Sequence, residues 1–335
     1  MIAQEVATKY FGNEADFILE LCKSGSINET YKVTLKKGDT KEDFVLQKMN
    51  VIFDPALVED VFFITEYLTS KNIKTKRVIK TLEGDIYLTD GASWWRMTTY
   101  LSGVSFLELS KKEQSKSAGE MVGRFHNALA DCDYEFKFKL PHYHTDTPFY
   151  MGRLKEVLSE YKDIEKYILL KDTGEEILSL YEKLPKISNL PIRIVHGDLK
   201  ICNVLFDASS REAISLLDLD TLMRGDIAIE LGDALRSWCM KGGEDTDIVI
   251  FDREIYDSAL DGYYATAKFL TEKEKQMIPL GVKTITLELS ARFLTDAFEE
   301  KHFKTNSPKY KNLFEQNKTR AENQLAFFKE FSKLF

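Results

Sequence analysis

The spacing of apolar and polar positions changes period close to residue 100. Before that point, residues 17–23, 27–36 and 44–49 alternate or run apolar and predict three strands, with Lys37-Gly38-Asp39-Thr40 as the turn between the second and third. A helix is predicted next. Asp54 is placed to cap it, Pro55 suits its first position, and Leu57, Val58, Val61, Phe62, Thr65 and Leu68 recur at helical spacing. Further strands are predicted over 76–80, 85–89 and 94–100, with Glu83-Gly84 as a turn. After Ser102-Gly103 the period becomes helical. Ser110-Lys111-Lys112-Glu113 has the form of a capping box, and Ala118, Met121, Val122, Phe125 and Leu129 share one helical face. Thr147-Pro148 opens another helix, and Thr271 with Glu274 repeats the capping box ahead of a long helical remainder. The pattern predicts an α+β chain: a small antiparallel-sheet lobe over 1–100, a joint near 98–103, and a mostly helical lobe over 101–335.

Composition narrows the partners more than the fold. With 335 residues, 44% hydrophobic and 30% charged, the chain has the make-up of an ordinary globular protein. Forty-six basic against fifty-four acidic side chains leave a net charge of -8, which argues against nucleic acid or an anionic membrane as partner. Cys22, Cys132, Cys202 and Cys239 stand far apart without a CxxC pair, so reduced thiols are expected instead of zinc ligands or a disulfide framework. The first residues lack a basic segment followed by an apolar one, and no apolar run reaches membrane-spanning length; a cytoplasmic location is the expectation.

The chemistry concentrates in residues 192–220. A short apolar strand delivers His196-Gly197-Asp198 into a loop, Asn203 follows five residues later, and a second apolar strand starts directly after it. The next apolar run, 213–217, ends at Asp218-Leu219-Asp220. Phosphoryl transfer asks little covalent chemistry of a protein. It needs a carboxylate to orient and deprotonate the attacking hydroxyl, and oxygen ligands for magnesium on the phosphates. Asp198 suits the first role, and Asn203 with Asp218 the second; Asp220 has a lesser claim to the metal. Lys48 is the candidate for pairing with phosphates, though alternation sends Gln47 and Lys48 to opposite faces and leaves Gln47 as the other occupant of that position. Thr98, Thr99 and Tyr100 at the joint are candidates for backbone bonds to adenine. Glu59 and Glu66 on the first helix are possible partners for a phosphate-binding lysine. Arg292 lies between Glu288 and Asp296 at helical i±4 spacing, which suggests a surface ion pair. His142 and His144 lack the companions that a zinc site needs.

These residues resemble the signature of the aminoglycoside phosphotransferase and choline kinase superfamily. Protein kinases carry arginine where Gly197 stands. The likeness extends to the N-acetylhexosamine 1-kinase branch through Gly25–Tyr31, Phe44–Asn50, Trp95-Arg96, Tyr100–Gly103, Gly123–Phe125, His144–Pro148, Asp218–Met223, Gly232-Asp233 with Arg236, and Arg292–Asp296. The resemblance implies a two-lobed protein-kinase-like fold, ATP and Mg2+ as cofactors, and a sugar phosphorylated on its anomeric hydroxyl. It implies Asp198 as general base, Asn203 and Asp218 as magnesium ligands, Asp233 as a brace for the catalytic loop, and Arg292 as a substrate contact. Ser26 departs from the branch, which often shows histidine there. The competing readings are a kinase for choline, homoserine or an aminoglycoside, and a nucleotide-binding pseudokinase.

Overall fold

The computed structural model describes residues 1–22, 28–50, 53–89, 91, 93–139, 146–246, 248–303, 305–306 and 308–335. The expected phosphate-covering loop around Gly25 and Ser26, and the pair His142 and His144, lie outside these.

Strands β1 (Phe17–Leu21), β2 (Glu29–Lys37), β3 (Thr40–Met49), β4 (Val78–Ile79), β5 (Leu88–Thr89) and β6 (Trp94–Thr99) form one antiparallel sheet in the order β1-β2-β3-β6-β4, with β5 also on β6. The alternation of β2, β3 and β6 gives the sheet two apolar faces. Val33, Leu35, Phe44, Leu46, Trp95 and Met97 pack under an N-terminal helix, α1 (Ala3–Phe11), through Val6, Ala7 and Tyr10. That helix was not among the predicted elements. Met49, Trp94 and Val78 face the other way, onto α2 (Ala56–Ser70), whose Leu57, Val58, Val61, Ile64 and Leu68 join the main core. The helix starts one residue later than expected: Pro55 is its cap residue, and the Asp54 carboxylate accepts the Ala56 N–H at 2.8 Å.

Beyond Thr99 the chain turns helical, as its period predicts, with α3 (Lys112–Leu129), α4 (Thr147–Glu160), α5 (Glu165–Lys183), α6 (Ile227–Cys239), α7 (Arg253–Thr266), α8 (Glu272–Glu299) and α9 (Leu313–Ser332). The capping box at Thr271 and Glu274 forms, with Thr271 Oγ1 accepting the Glu274 N–H and Glu274 accepting the Thr271 N–H. The one read at Ser110 does not; Lys111 precedes the helix and caps nothing with its side chain. Two short antiparallel strand pairs interrupt the helices: β7 (Ile192–Val195) pairs with β10 (Met223–Asp226), and between them in the chain β8 (Val204–Phe206) pairs with β9 (Ala213–Leu216).

Helices α6 and α8 cross at glycines. A Cβ on Gly281 would lie 1.8 Å from the Ala228 carbonyl oxygen, and one on Gly232 would lie 2.5 Å from the Gly281 backbone. Only bare backbone permits this approach, and it sets the spacing between the α6 and α8 side chains described below. All four cysteines are free. No helix among the described residues is long and apolar enough to cross a membrane.

Candidate active site

The two strand pairs hold the 196–203 loop from both ends. Gly197 has φ +83°, and a Cβ there would meet the Thr221 carbonyl at 2.3 Å, which explains a glycine between His196 and Asp198. His196 is wholly buried and acts as a strut. Its Nε2–H donates to the Leu217 carbonyl at 2.7 Å, so Nδ1 is the acceptor of the Asp198 N–H at 3.3 Å. The backbone N–H groups of His196 and Gly197 donate to the two oxygens of Glu230 on α6, at 2.8 and 3.1 Å. Glu230 is buried and His126 stands 3.5 Å behind it. The brace that the resemblance implies at Asp233 is therefore Glu230, one turn earlier on the same helix face. Asp233 instead accepts two bonds from Arg236, at 3.1 and 2.9 Å.

Asp198 sits at the end of this scaffold, 8% exposed. Asn203 Nδ2 donates to the Asp198 carbonyl at 2.8 Å and to its carboxylate at 3.3 Å, which turns the Asn203 amide oxygen away from Asp198. Lys200 Nζ lies 3.0 Å from the same carboxylate. Burial works against the Lys200 charge, but Asp198 outweighs it and holds the ammonium above its usual range. The Leu217 N–H donates to the Asn203 carbonyl at 2.8 Å, so Asp218, the next residue, is anchored beside Asn203. Asp218 adopts a left-handed backbone, φ 58° and ψ 62°, that ends the β9 run and opens the turn Leu219–Thr221. Its carboxyl group is open to the cleft, yet protein surrounds it on most sides. That enclosure, then the neighbouring Asp220, raises its pKa.

Three oxygen-bearing side chains thus meet: Asp198, Asn203 and Asp218. Among the described residues no three His, Cys, Asp or Glu side chains form a self-sufficient metal site. An amide oxygen with one carboxylate is the partial set a hard cation takes when phosphates complete its shell. The donor set, a carboxylate and an amide oxygen held on adjoining backbone by the Leu217–Asn203 bond, fits magnesium.

The nucleotide candidates fall differently. Register pairs Gln47 with Arg96 and Lys48 with Trp95. Lys48 lies on the α1 face, its ammonium 5.7 Å from the centre of the Trp95 ring. Gln47 and Arg96 share the opposite face, where Arg96 reaches Asp220 at 2.6 and 2.7 Å. The expectation for Lys48 thus placed it on the wrong face, because strand parity followed the apolar Phe44 and Leu46 into the α1 core. Glu59 pairs with Lys137 and Glu66 with Arg77, both in exposed positions away from β3. At the joint, Thr98 is buried in the ladder opposite Val45 and Val78. The Thr99 N–H donates to Arg77, and the Tyr100 N–H to Asp43, so these amides are engaged within the sheet. The chain leaves it through Leu101–Gly103 and re-engages at Val104, which exchanges two backbone bonds with Phe206.

Arg292 is half-buried on α8, with its guanidinium 4.7 Å from the Tyr150 ring centre and 3.9 Å from Glu288 Oε1. The ion pair suggested by spacing forms with Glu288 alone, and in a buried setting instead of at the surface. Glu288 is fully buried and takes a hydrogen bond from Thr147 Oγ1 at 2.5 Å, while Asp296 accepts the N–H groups of Lys301, His302 and Phe303 beyond the helix end. Beside Lys200 opens a cavity of about 230 Å³, lined by Cys202, Arg236, Glu244, Asp245 and Arg320 among others.

A family model described as APH, phosphotransferase enzyme family, matches residues 18–269, which include both strand pairs and the 196–203 loop. The chain belongs to this family. The phosphotransferase also resembles solved structures at full length. An aminoglycoside phosphotransferase from Alicyclobacillus acidocaldarius is 14% identical at a TM-score of 0.66, over 99% of this chain and 96% of that one. A microcompartment-associated aminopropanol kinase is 17% identical at 0.66, over 98% and 97%. A choline kinase from Cryptosporidium parvum is 14% identical at 0.61, over 98% and 95%. The α+β architecture of this phosphotransferase, antiparallel sheet followed by helices, is the protein-kinase-like fold of those neighbours.

The sequence overlooked Glu230, Lys200 and Arg96. Glu230 carried a usable signal, since it lies at i−3 from Asp233 and so on the same face of one helix.

Proposed function

We propose that this phosphotransferase is an ATP- and magnesium-dependent small-molecule kinase acting on the anomeric hydroxyl of an N-acetylhexosamine. The carrying observation is the convergence of Asp198 with Asn203 and Asp218 on two tied loop ends. Asp198 is the general base: it is buried, hydrogen-bonded on one edge by Asn203, and electrostatically held by Lys200. It orients the acceptor hydroxyl and takes its proton. Asn203 and Asp218 would hold Mg2+, which neutralises charge on the transferring phosphoryl group when bound. We place the nucleotide beneath the sheet of an N-terminal lobe, residues 1–100, against the joint at Thr98–Tyr100. The acceptor enters from the helical lobe, residues 101–335, where Arg292 faces it.

A cationic acceptor, such as an amino alcohol or aminoglycoside, calls for unneutralised acids. Here Asp245 is matched by Arg320 at 2.7 Å and Asp198 by Lys200 at 3.0 Å, while Asp233 and Glu244 share Arg236 at 2.9 and 3.5 Å, so charge balance alone does not select the acceptor. The specific hexosamine rests on likeness around the cleft, above all Arg292–Asp296 and Asp218–Met223. Magnesium-dependent ADP release should be measured over N-acetylglucosamine, N-acetylgalactosamine, plain hexoses, choline, aminopropanol and aminoglycosides, with phosphorus NMR of the product. Turnover confined to amino alcohols or aminoglycosides would overturn the sugar. Nucleotide binding without turnover on any acceptor would favour a pseudokinase.

A further inference from the structure

The phosphate site of a kinase-like fold needs a cation from the sheet, and β3 here places none beside Asp220. Gln47 stands at the cleft-facing position and Lys48 faces α1. Directly opposite Gln47, one strand over, is Arg96. Its Nε and Nη2 donate to Gln47 Oε1 at 3.1 and 2.9 Å, and its Nη1 and Nη2 grip the two oxygens of Asp220 at 2.6 and 2.7 Å. Both ends of the pair are 5% exposed. We propose that Arg96 takes over the part of a β3 lysine: it is the sheet's cation at the phosphate site, and through Asp220 it positions the metal carboxylate of Asp218. The inference rests on the kinase reading above.

The connection is short and stiff. Asp220 lies in the turn Leu219–Thr221 that starts from Asp218, and Thr221 Oγ1 at the end of that turn donates to the His196 carbonyl at 2.8 Å. Fixing Asp220 therefore fixes Asp218 on one side and the entry to the 196–203 loop on the other. A guanidinium suits this because its planar fork meets a carboxylate with two parallel bonds, where a lysine offers a point charge. Gln47 completes the device, since its carbonyl orients the fork in the plane that Asp220 requires. Of five guanidinium N–H groups four are used, leaving one on Nη1 for an anion. Lys76 lies near Arg96, Asp218 and Asp220 as well.

The test is nucleotide binding by the full-length protein, read by calorimetry with ADP in the presence of Mg2+ and again in EDTA. The quantity of interest is the affinity gain on adding Mg2+, together with the unfolding temperature. Arg96→Met combined with Asp220→Asn leaves no unmatched buried charge. It is expected to fold and to lose roughly tenfold or more of the magnesium gain, as removal of a group orienting a metal ligand does. Gln47→Lys combined with Arg96→Gln returns the cation to β3 and is expected to keep most of the gain. Full wild-type gain in the first variant would make the pair structural only and overturn the inference, with the kinase reading intact. A second variant as poor as the first would overturn the equivalence to a β3 lysine. Absence of any nucleotide binding by the wild-type protein would instead remove the kinase reading, and this inference with it.

Discussion

Glu288 gives the phosphotransferase a stability that should fall as pH rises. Its side chain is fully buried on α8, with Thr147 Oγ1 donating to one oxygen and Arg292 3.9 Å from the other. Burial pushes its carboxyl up to about 8 from an ordinary 4.5, against the opposing pull of Thr147 and Arg292 and with help from Asp233 and Asp146. The sign follows from proton counting. Between these two values the folded chain holds a proton that the unfolded chain has released, so raising the pH favours unfolding. The contribution is fully present below 4.5 and lost as pH climbs through about 8. At about 1.4 kcal/mol per pH unit the full span amounts to roughly 3–5 kcal/mol. Glu288→Gln keeps the shape and an acceptor for Thr147 but cannot ionise. Urea unfolding of both proteins at intervals from pH 5 to pH 8 isolates this one group, because every other titration is shared. The two should be comparable at pH 5, and the variant should be more stable by roughly 3–5 kcal/mol at pH 8. Parallel stability curves would show that Arg292 keeps Glu288 ionised in the folded chain and would refute the reasoning.

Asp198→Asn should leave the fold intact, since Asn203 and Lys200 contact it only at its edge. Steady-state turnover should fall by roughly 10²–10⁴ with the loss of the base, and near-normal turnover would sink the mechanism. Glu230→Gln leaves one acceptor for the two backbone donors of His196 and Gly197, at a cost of about 1–3 kcal/mol in thermal or urea unfolding. The same variant should lower turnover more than it changes nucleotide affinity, because it loosens the loop carrying Asp198. Gly281→Ala would drive a methyl to 1.8 Å from the Ala228 carbonyl and push α6 from α8. Destabilisation of about 3 kcal/mol is expected in chemical denaturation, and Gly152→Ala, whose added methyl meets nothing within 4 Å, is the control.

Much of this was written in the linear order of residues. The two periodicities separated sheet from helices, since each is imposed by local backbone geometry and the need to bury one face. The loop carrying Asp198 and Asn203 was legible because its chemistry lies within one short stretch, and the two side chains do share a hydrogen bond. Asp218 was legible because it ends an apolar run. What the tertiary structure decided are the pairings between distant segments. Lys48 and Gln47 could not be assigned to faces until α1, itself unanticipated, covered one side of the sheet and drew Phe44, Leu46 and Trp95 with it. Arg96 and Asp220 are 124 residues apart, and nothing local joins them. Glu288 reads as a surface acid at i−4 from Arg292, yet the close crossing of α6 and α8 at Gly232 and Gly281, with α4 supplying Thr147, buries it. Local propensity carries information over a few residues. Which charges end up desolvated together depends on how helices and sheet close over one another, and that is a property of the packed chain.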